Sequence, residues 1–231
     1  MKNLRKKIIK LIVYCLFLFF VGSALTILIF RWVNPPITVF MVYKFVKGNH
    51  ELIIKEWEPL EEISPLLPLA VIASEDQNFL YHHGFDYDAI KKALKHNEKG
   101  KKVRGGSTIS QQLSKNLFLF PTKSYIRKGV ESYFTFLIEL FWSKRRIMEV
   151  YLNVIELGDG VYGASAAAKM YFGKDAVNLT QTEASLIVTA LPNPLIYKLS
   201  QPSPYMYSRS EWVRRQMNNL GGKQLLKDWY Q

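Results

Sequence analysis

Residues 11–30, LIVYCLFLFFVGSALTILIF, form a run of twenty without a charged side chain. As a helix rising ~1.5 Å per residue, the run spans ~30 Å, the thickness of a bilayer's hydrocarbon core. Lys2, Arg5, Lys6, Lys7 and Lys10 precede it. The positive-inside rule places that end in the cytoplasm and everything after Arg31 across the membrane. A cleavable signal peptide also has a basic start. Here the apolar run is long for one, and the small residues Val21-Gly22-Ser23-Ala24 sit inside it rather than after it. The expectation is an uncleaved, single-pass anchor in the cytoplasmic (inner) membrane, with the rest of the chain periplasmic or otherwise extracytoplasmic. A single cysteine, Cys15, excludes an internal disulfide.

The remainder is long enough for one sizeable core, since 48% of the 231 residues are hydrophobic. Lysine and arginine number 31 against 19 acids, a formal charge of +12. Such a balance favours partners that carry phosphate: nucleic acid, anionic lipid or a phosphorylated substrate. Asn34-Pro35-Pro36 ends the span, and Leu52–Trp57 reads as a short strand or an extended link. The expected organisation is a basic tail at 1–10, an anchor at 11–30, a membrane-proximal linker at 31–59 and a folded domain at 60–231.

Leu66 to Ala73 reads as a short buried helix, and Glu75 and Asp76 follow it directly. A carboxylate at the end of a buried helix is placed to exchange protons. Adjacent acids are nevertheless more often solvated, so the rest of the chain must decide. In Gly105–Asn116, GGSTISQQLSKN, Ser107 or Thr108 is a good N-cap, and a helix N-terminus suits an anion. Thr108, Gln112 and Lys115 share one helical face, with Ser107 and Gln111 beside them. From Ser107 to Lys115 this face runs about 12 Å, enough to line a long cleft. Polar basic residues 96–104 read as a flexible loop. Leu117–Pro121, between Lys115 and Lys123, is either core or a surface that meets lipid. The expectation is that at least one of Phe118 and Phe120 is exposed.

Further on, Arg127 and Glu131 stand four apart at the start of a long apolar-faced helix, and Ser143-Lys144-Arg145-Arg146 looks like a break. A second helix carries Ile147 to Leu152, Glu156 to Gly160 is a turn, and an alanine-rich stretch follows. Thr180 and Glu183 have capping-box spacing, and Arg209 lies on a last helix.

Five segments stand in order: EDQNFLYHHGFD, GGSTISQQLSKN, RKGVE, KRRIMEVYLN and GVYGASAAAKMYFGK. Together they resemble the ordered motifs of the peptidoglycan glycosyltransferases of glycosyltransferase family 51, over roughly residues 60–191. Any one alone would be weak; five in sequence are specific. Neither S-x-x-K nor K-T-G occurs, so transpeptidase activity is not expected.

The resemblance implies a mainly α, lysozyme-like domain of two lobes around a cleft, with the lobe containing residues 105–125 near the membrane. It implies lipid II and a growing glycan strand as substrates, with inversion at the anomeric carbon and release of polyprenyl pyrophosphate. It assigns the general base to Glu75 and a second site carboxylate to Glu131. Lys115, Arg127 and Lys128 are the candidates for the pyrophosphate. Ser107, Thr108, Gln111, Gln112, Asn116 and Lys123 are candidates for the substrate's remaining oxygens. Asp76, His83, Glu149 and Asn153 are expected to support them, Asp76 as a helper of Glu75 rather than the base. Histidine ligation of a metal is not supported by spacing. No cofactor is required, although Glu131 leaves room for a divalent cation, Mg or Mn. Membrane lipid and cell-wall synthesis or division proteins are the other partners in view; nucleic acid is not. Two rivals are a membrane-anchored lysozyme-like or lytic enzyme and a non-catalytic cell-wall scaffold protein.

Overall fold

The computed structural model describes residues 2–48, 52–97, 106–122 and 124–230. The loop expected at 96–104 lies outside the described residues from 98 onward, and Lys123 lies outside them too. The fold is mainly helical: an apolar helix, α1 (Lys2–Phe30), precedes a helical domain.

α1 is long and apolar enough to cross a membrane. Most of it is exposed, but its last turns dock on the domain: Ile27 is fully buried. A helix leaves its final carbonyls without intrahelical partners. Here the Trp142 indole donates to Ile27 O at 2.7 Å, and Arg146 Nη2 donates to Phe30 O at 3.0 Å.

Residues 31–59 are built into the domain rather than strung before it. Thr38 caps α2 (Val39–Val46), whose Met41 enters the core. β1 (Ile54–Lys55) pairs in parallel with β3 (Val161–Tyr162), and β2 (Glu156–Gly158) pairs antiparallel on its other side. Of the turn expected at 156–160, Glu156–Gly158 is strand β2, and only Asp159-Gly160 form the tip of the β2–β3 hairpin. Gly160 supplies its positive φ of 71°. The side chain of Asn153 ties the entry strand down. It accepts from Glu58 N at 2.7 Å and donates to Glu58 O at 2.8 Å. The domain therefore begins well before the boundary expected at residue 60.

α3 (Leu66–Glu75) is buried on every side from Leu67 to Ala73, as a helix without a polar face must be. It packs against α9 (Gln181–Ile187) and α10 (Pro204–Asn219). A second group is centred on α5 (Ile109–Phe118), which packs against α2, α6 (Tyr125–Phe141) and α7 (Lys144–Val154). α6 in turn receives α1. The expected break at 143–146 is narrower than the charge run suggested: Ser143 caps α7, and Lys144-Arg145-Arg146 form its first turn. The short α4 (Tyr87–Asn97) and the alanine-rich α8 (Ala164–Phe172) complete the domain. Gly163 precedes α8 at φ 87°, where an added Cβ would sit 2.9 Å from Asn153 O. The two helix groups flank one cleft.

Candidate active site

The cleft has a volume of about 1140 Å3 and receives residues from α3, α5, α6 and α10. Glu75, the last residue of α3, stands half-buried in its wall. Gln112 Nε2 donates to its Oε2 at 2.8 Å, and the Ser74 hydroxyl to its Oε1 at 3.2 Å. Both oxygens thus carry a donor.

Asp76 is turned the other way, into the protein. Its Oδ2 accepts from Ile109 N at 3.1 Å, in the first turn of α5, so it fixes where that helix starts. Its second partner is His82, whose Nε2 lies 2.9 Å from both carboxylate oxygens. Gly84 N donates to His82 Nδ1 at 3.1 Å, so Nε2 is the protonated nitrogen and donates to Asp76. Gly84 O accepts from the Thr108 hydroxyl at 2.7 Å. Loop 76–84 and the start of α5 are therefore one hydrogen-bonded unit. His83, the histidine expected to support the site, is exposed instead; the supporting contact belongs to His82. The sequence places the two side by side with nothing to separate them.

On α5 the expected substrate face divides. Thr108 and Gln111 form a capping box: the Thr108 hydroxyl accepts from Gln111 N, and Gln111 Oε1 accepts from Thr108 N at 3.1 Å. Both are buried at the cleft's floor, with much of their polar capacity taken up by the helix end. Ser107 is exposed at the rim. Lys115 lines the cleft and also a side chamber of about 210 Å3, where Asn116 and Lys44 join it. Burial pushes the Lys115 ammonium below the ordinary lysine range. Glu131 opposes the shift, while Arg127 and Lys128 add to it.

Glu131 is buried on α6 and takes a cation on each oxygen: Arg127 Nη1 at 2.5 Å on Oε2, and Lys128 Nζ on Oε1. Arg127 Nε is buried and has no hydrogen-bond partner among the described residues. An unmatched donor on a fixed guanidinium is costly unless an acceptor arrives from outside. Both Glu131 oxygens being taken, a divalent cation would have to displace Arg127 or Lys128. Among the described residues no three His, Cys, Asp or Glu side chains gather to hold one.

Glu149 and Asn153 stand behind the site on α7. Glu149 pairs with Arg146 at 2.6 Å, and Asn153 Nδ2 donates to Glu149 O at 2.8 Å. Their contacts are with the frame and not with the cleft. Arg209, Trp212 and Gln216 on α10 are among the cleft residues not singled out as site residues from sequence. Arg209 stacks over the Trp212 ring at 3.9 Å, and Gln216 accepts from Gln77 at 3.3 Å. The three-residue spacing of Arg209 and Trp212 on one helix was the available signal.

Residues 45–218 match the family model described as Transglycosylase. The chain is 52% identical over 210 residues to a biosynthetic peptidoglycan transglycosylase of Shewanella oneidensis, covering 90% of each chain. It is 51% identical over 219 residues to the protein of the same name in Pseudomonas fluorescens, covering 93% of this chain and 91% of that one. For the Xylella fastidiosa counterpart the identity is 48% over 210 residues, covering 88% and 86%.

Proposed function

The chain belongs to the transglycosylase family and is a peptidoglycan glycosyltransferase, and from that premise we propose that it polymerises lipid II with Glu75 as the general base. One observation carries the reading: a hydrogen-bonded carboxylate, Glu75, shares a cleft with three cationic side chains, Lys115, Arg127 and Lys128.

Glu75 takes the proton from the C4 hydroxyl of one disaccharide as that oxygen attacks C1 of the muramoyl end of the growing strand. The C1–O bond to pyrophosphate breaks, and its electron pair leaves on the phosphate oxygen. A single displacement converts the α-linked donor into a β-linked product with no covalent enzyme intermediate. Pyrophosphate needs positive charge more than a proton. Lys115, Arg127 and Lys128 supply it from fixed positions, where it is worth more than in water. The unpartnered Arg127 Nε supports this part of the reading. Glu131 orients Arg127 and Lys128, and no step passes through a metal.

The basic N-terminus and apolar α1 support an inner-membrane anchor with its N-terminus cytoplasmic. Exposed apolar side chains on α6, among them Ile126, Phe136 and Leu140, lie on the helix that packs against α1. They support a cleft that opens close to lipid, where a polyprenyl-linked substrate must stay.

The test is polymerisation of labelled lipid II by the purified chain in detergent. Glu75→Gln keeps the size and removes the base, so turnover falls by roughly 10²–10⁴ while lipid II still binds. Wild-type turnover in that variant removes Glu75 from the base role. Cleavage of purified sacculi in place of polymerisation would favour the lytic alternative.

A further inference from the structure

Gln112 lies on α5 between two groups from other helices. Its Nε2 donates to Glu75 Oε2 at 2.8 Å, and its Oε1 accepts from the Tyr151 hydroxyl at 2.9 Å. Tyr151, on α7, is fully buried. We propose that Tyr151 is a positioning residue that acts through Gln112, fixing which way the amide faces and so which oxygen of Glu75 is left to take the proton. The proposal rests on Glu75 being the base.

The direction of the relay follows from donor and acceptor chemistry. An ionised carboxylate only accepts, so Gln112 must turn its NH2 toward Glu75. Its carbonyl oxygen then faces Tyr151, and the phenol must donate. Burial, with the Glu75 and Asp76 charges nearby, holds the Tyr151 phenol well above its ordinary range, so it keeps its proton. A flipped amide would set its carbonyl oxygen against the carboxylate. Glu75 Oε2 is thereby held by Gln112, and Oε1 keeps only the longer 3.2 Å contact from Ser74. Oε1 is therefore the oxygen that takes the C4 proton.

The frame suits such a device. Asp76 pins the first turn of α5, three residues before Gln112, through Ile109 N. Three helices thus meet at one carboxylate: α3 carries it, α5 contributes the amide and α7 the phenol. This changes the expectation for Gln112, which the sequence assigns to substrate oxygens. Its two polar atoms are both engaged within the protein.

The experiment is a double-variant cycle on the full chain in detergent, with labelled lipid II as substrate and melting temperature recorded throughout. Tyr151→Phe removes only the hydroxyl. Gln112→Met keeps length and removes both hydrogen bonds while leaving the buried tyrosine in place. Each lowers kcat about tenfold, within the loss that misplacement of a catalytic group produces, and leaves KM within about twofold. The double variant is no slower than the slower single variant, because the hydroxyl acts only through the amide. Wild-type kcat in either single variant overturns the proposal. So does a Tyr151→Phe effect that multiplies undiminished onto Gln112→Met, which is how a merely structural tyrosine behaves. Glu75→Gln separates the two readings. If it is inactive while the cycle fails, the relay alone is wrong; if it turns over normally, the base assignment falls and the relay with it.

Discussion

Lys115 pays for its position in stability, and the sign of that cost is testable. Burial lowers its pKa from the ordinary 10.5. The folded state therefore disfavours the charged form relative to the unfolded chain. The cost is fully present at neutral pH. It fades as pH rises through the window between the lowered value and 10.5, where the unfolded chain binds the proton more readily than the folded one. Lys115→Met should accordingly stabilise the protein at pH 7, by on the order of 1 kcal/mol, while polymerisation slows. The gain in melting temperature should shrink as the pH of the melt approaches 10.5. A variant that melts lower than wild type at pH 7 would show that the contacts of Lys115 outweigh its desolvation, and one that polymerises as fast would remove Lys115 from pyrophosphate binding. Residue types and their order made Glu75, Lys115, Arg127 and Glu131 legible in the sequence. Individual hydrogen bonds were not. Thr108 and Gln111 are partly consumed by a capping box whose spacing was in plain view, and His82 rather than His83 holds Asp76. Tyr151 sits in an ordinary apolar helix pattern, and nothing local marks its hydroxyl as facing α5.

At the scale of elements, Leu117–Pro121 shows what periodicity leaves open. α5 ends at Phe118, and Leu119 is extended at φ −127° and ψ 147°. The change from helix to extended chain turns Leu119 into the core and Phe120 outward, 56% exposed. Phe118 is half-buried: its ring stacks on Phe134 at 4.5 Å between centroids and on Phe30 of α1 at 6.5 Å. One ring is exposed, as expected, but the two are not equivalent. Phe118→Ser should cost about 2–4 kcal/mol, because it opens a gap among aromatic neighbours. Phe120→Ser should leave the melting temperature in detergent within about a degree, the usual behaviour of an exposed position. In the chain reconstituted into vesicles, the indole introduced by Phe120→Trp should be quenched by brominated acyl chains. Equal melting temperatures for both serine variants would mean that Phe118 contributes no packing. An introduced indole that escapes quenching would place the segment away from lipid.

For the whole molecule, the distinction between anchor and domain is weaker than the sequence suggests. Prolines at 35, 36 and 59 mark residues 31–59 as a linker by local signals alone. What makes them part of the fold is long-range pairing, which no local pattern encodes: Ile54 with Val161, and Glu58 with Asn153. α1 shows the same thing. After its basic start, residues 11–22 are apolar surface, but Ile27 is core, and the carbonyls of Ile27 and Phe30 are held by Trp142 and Arg146. Ser23 and the Tyr133 hydroxyl lie 2.8 Å apart. The last turns of α1 therefore fix the domain's orientation on its anchor and contribute to its stability. Two changes separate that role from simple tethering. Replacing residues 3–18 by an unrelated apolar helix spares these contacts and should leave melting temperature and turnover in detergent unchanged. Removing residues 1–33 strips Ile27 from the core and leaves the Trp142 indole without its acceptor. A loss of roughly 2–4 kcal/mol is expected, which for a domain of this size lowers the melting temperature by about 5–12 °C. A truncated chain that melts with the full-length protein would make α1 a passive tether. A replacement helix that lowers stability as much as truncation would place the contribution in the membrane-spanning part instead of the docked turns.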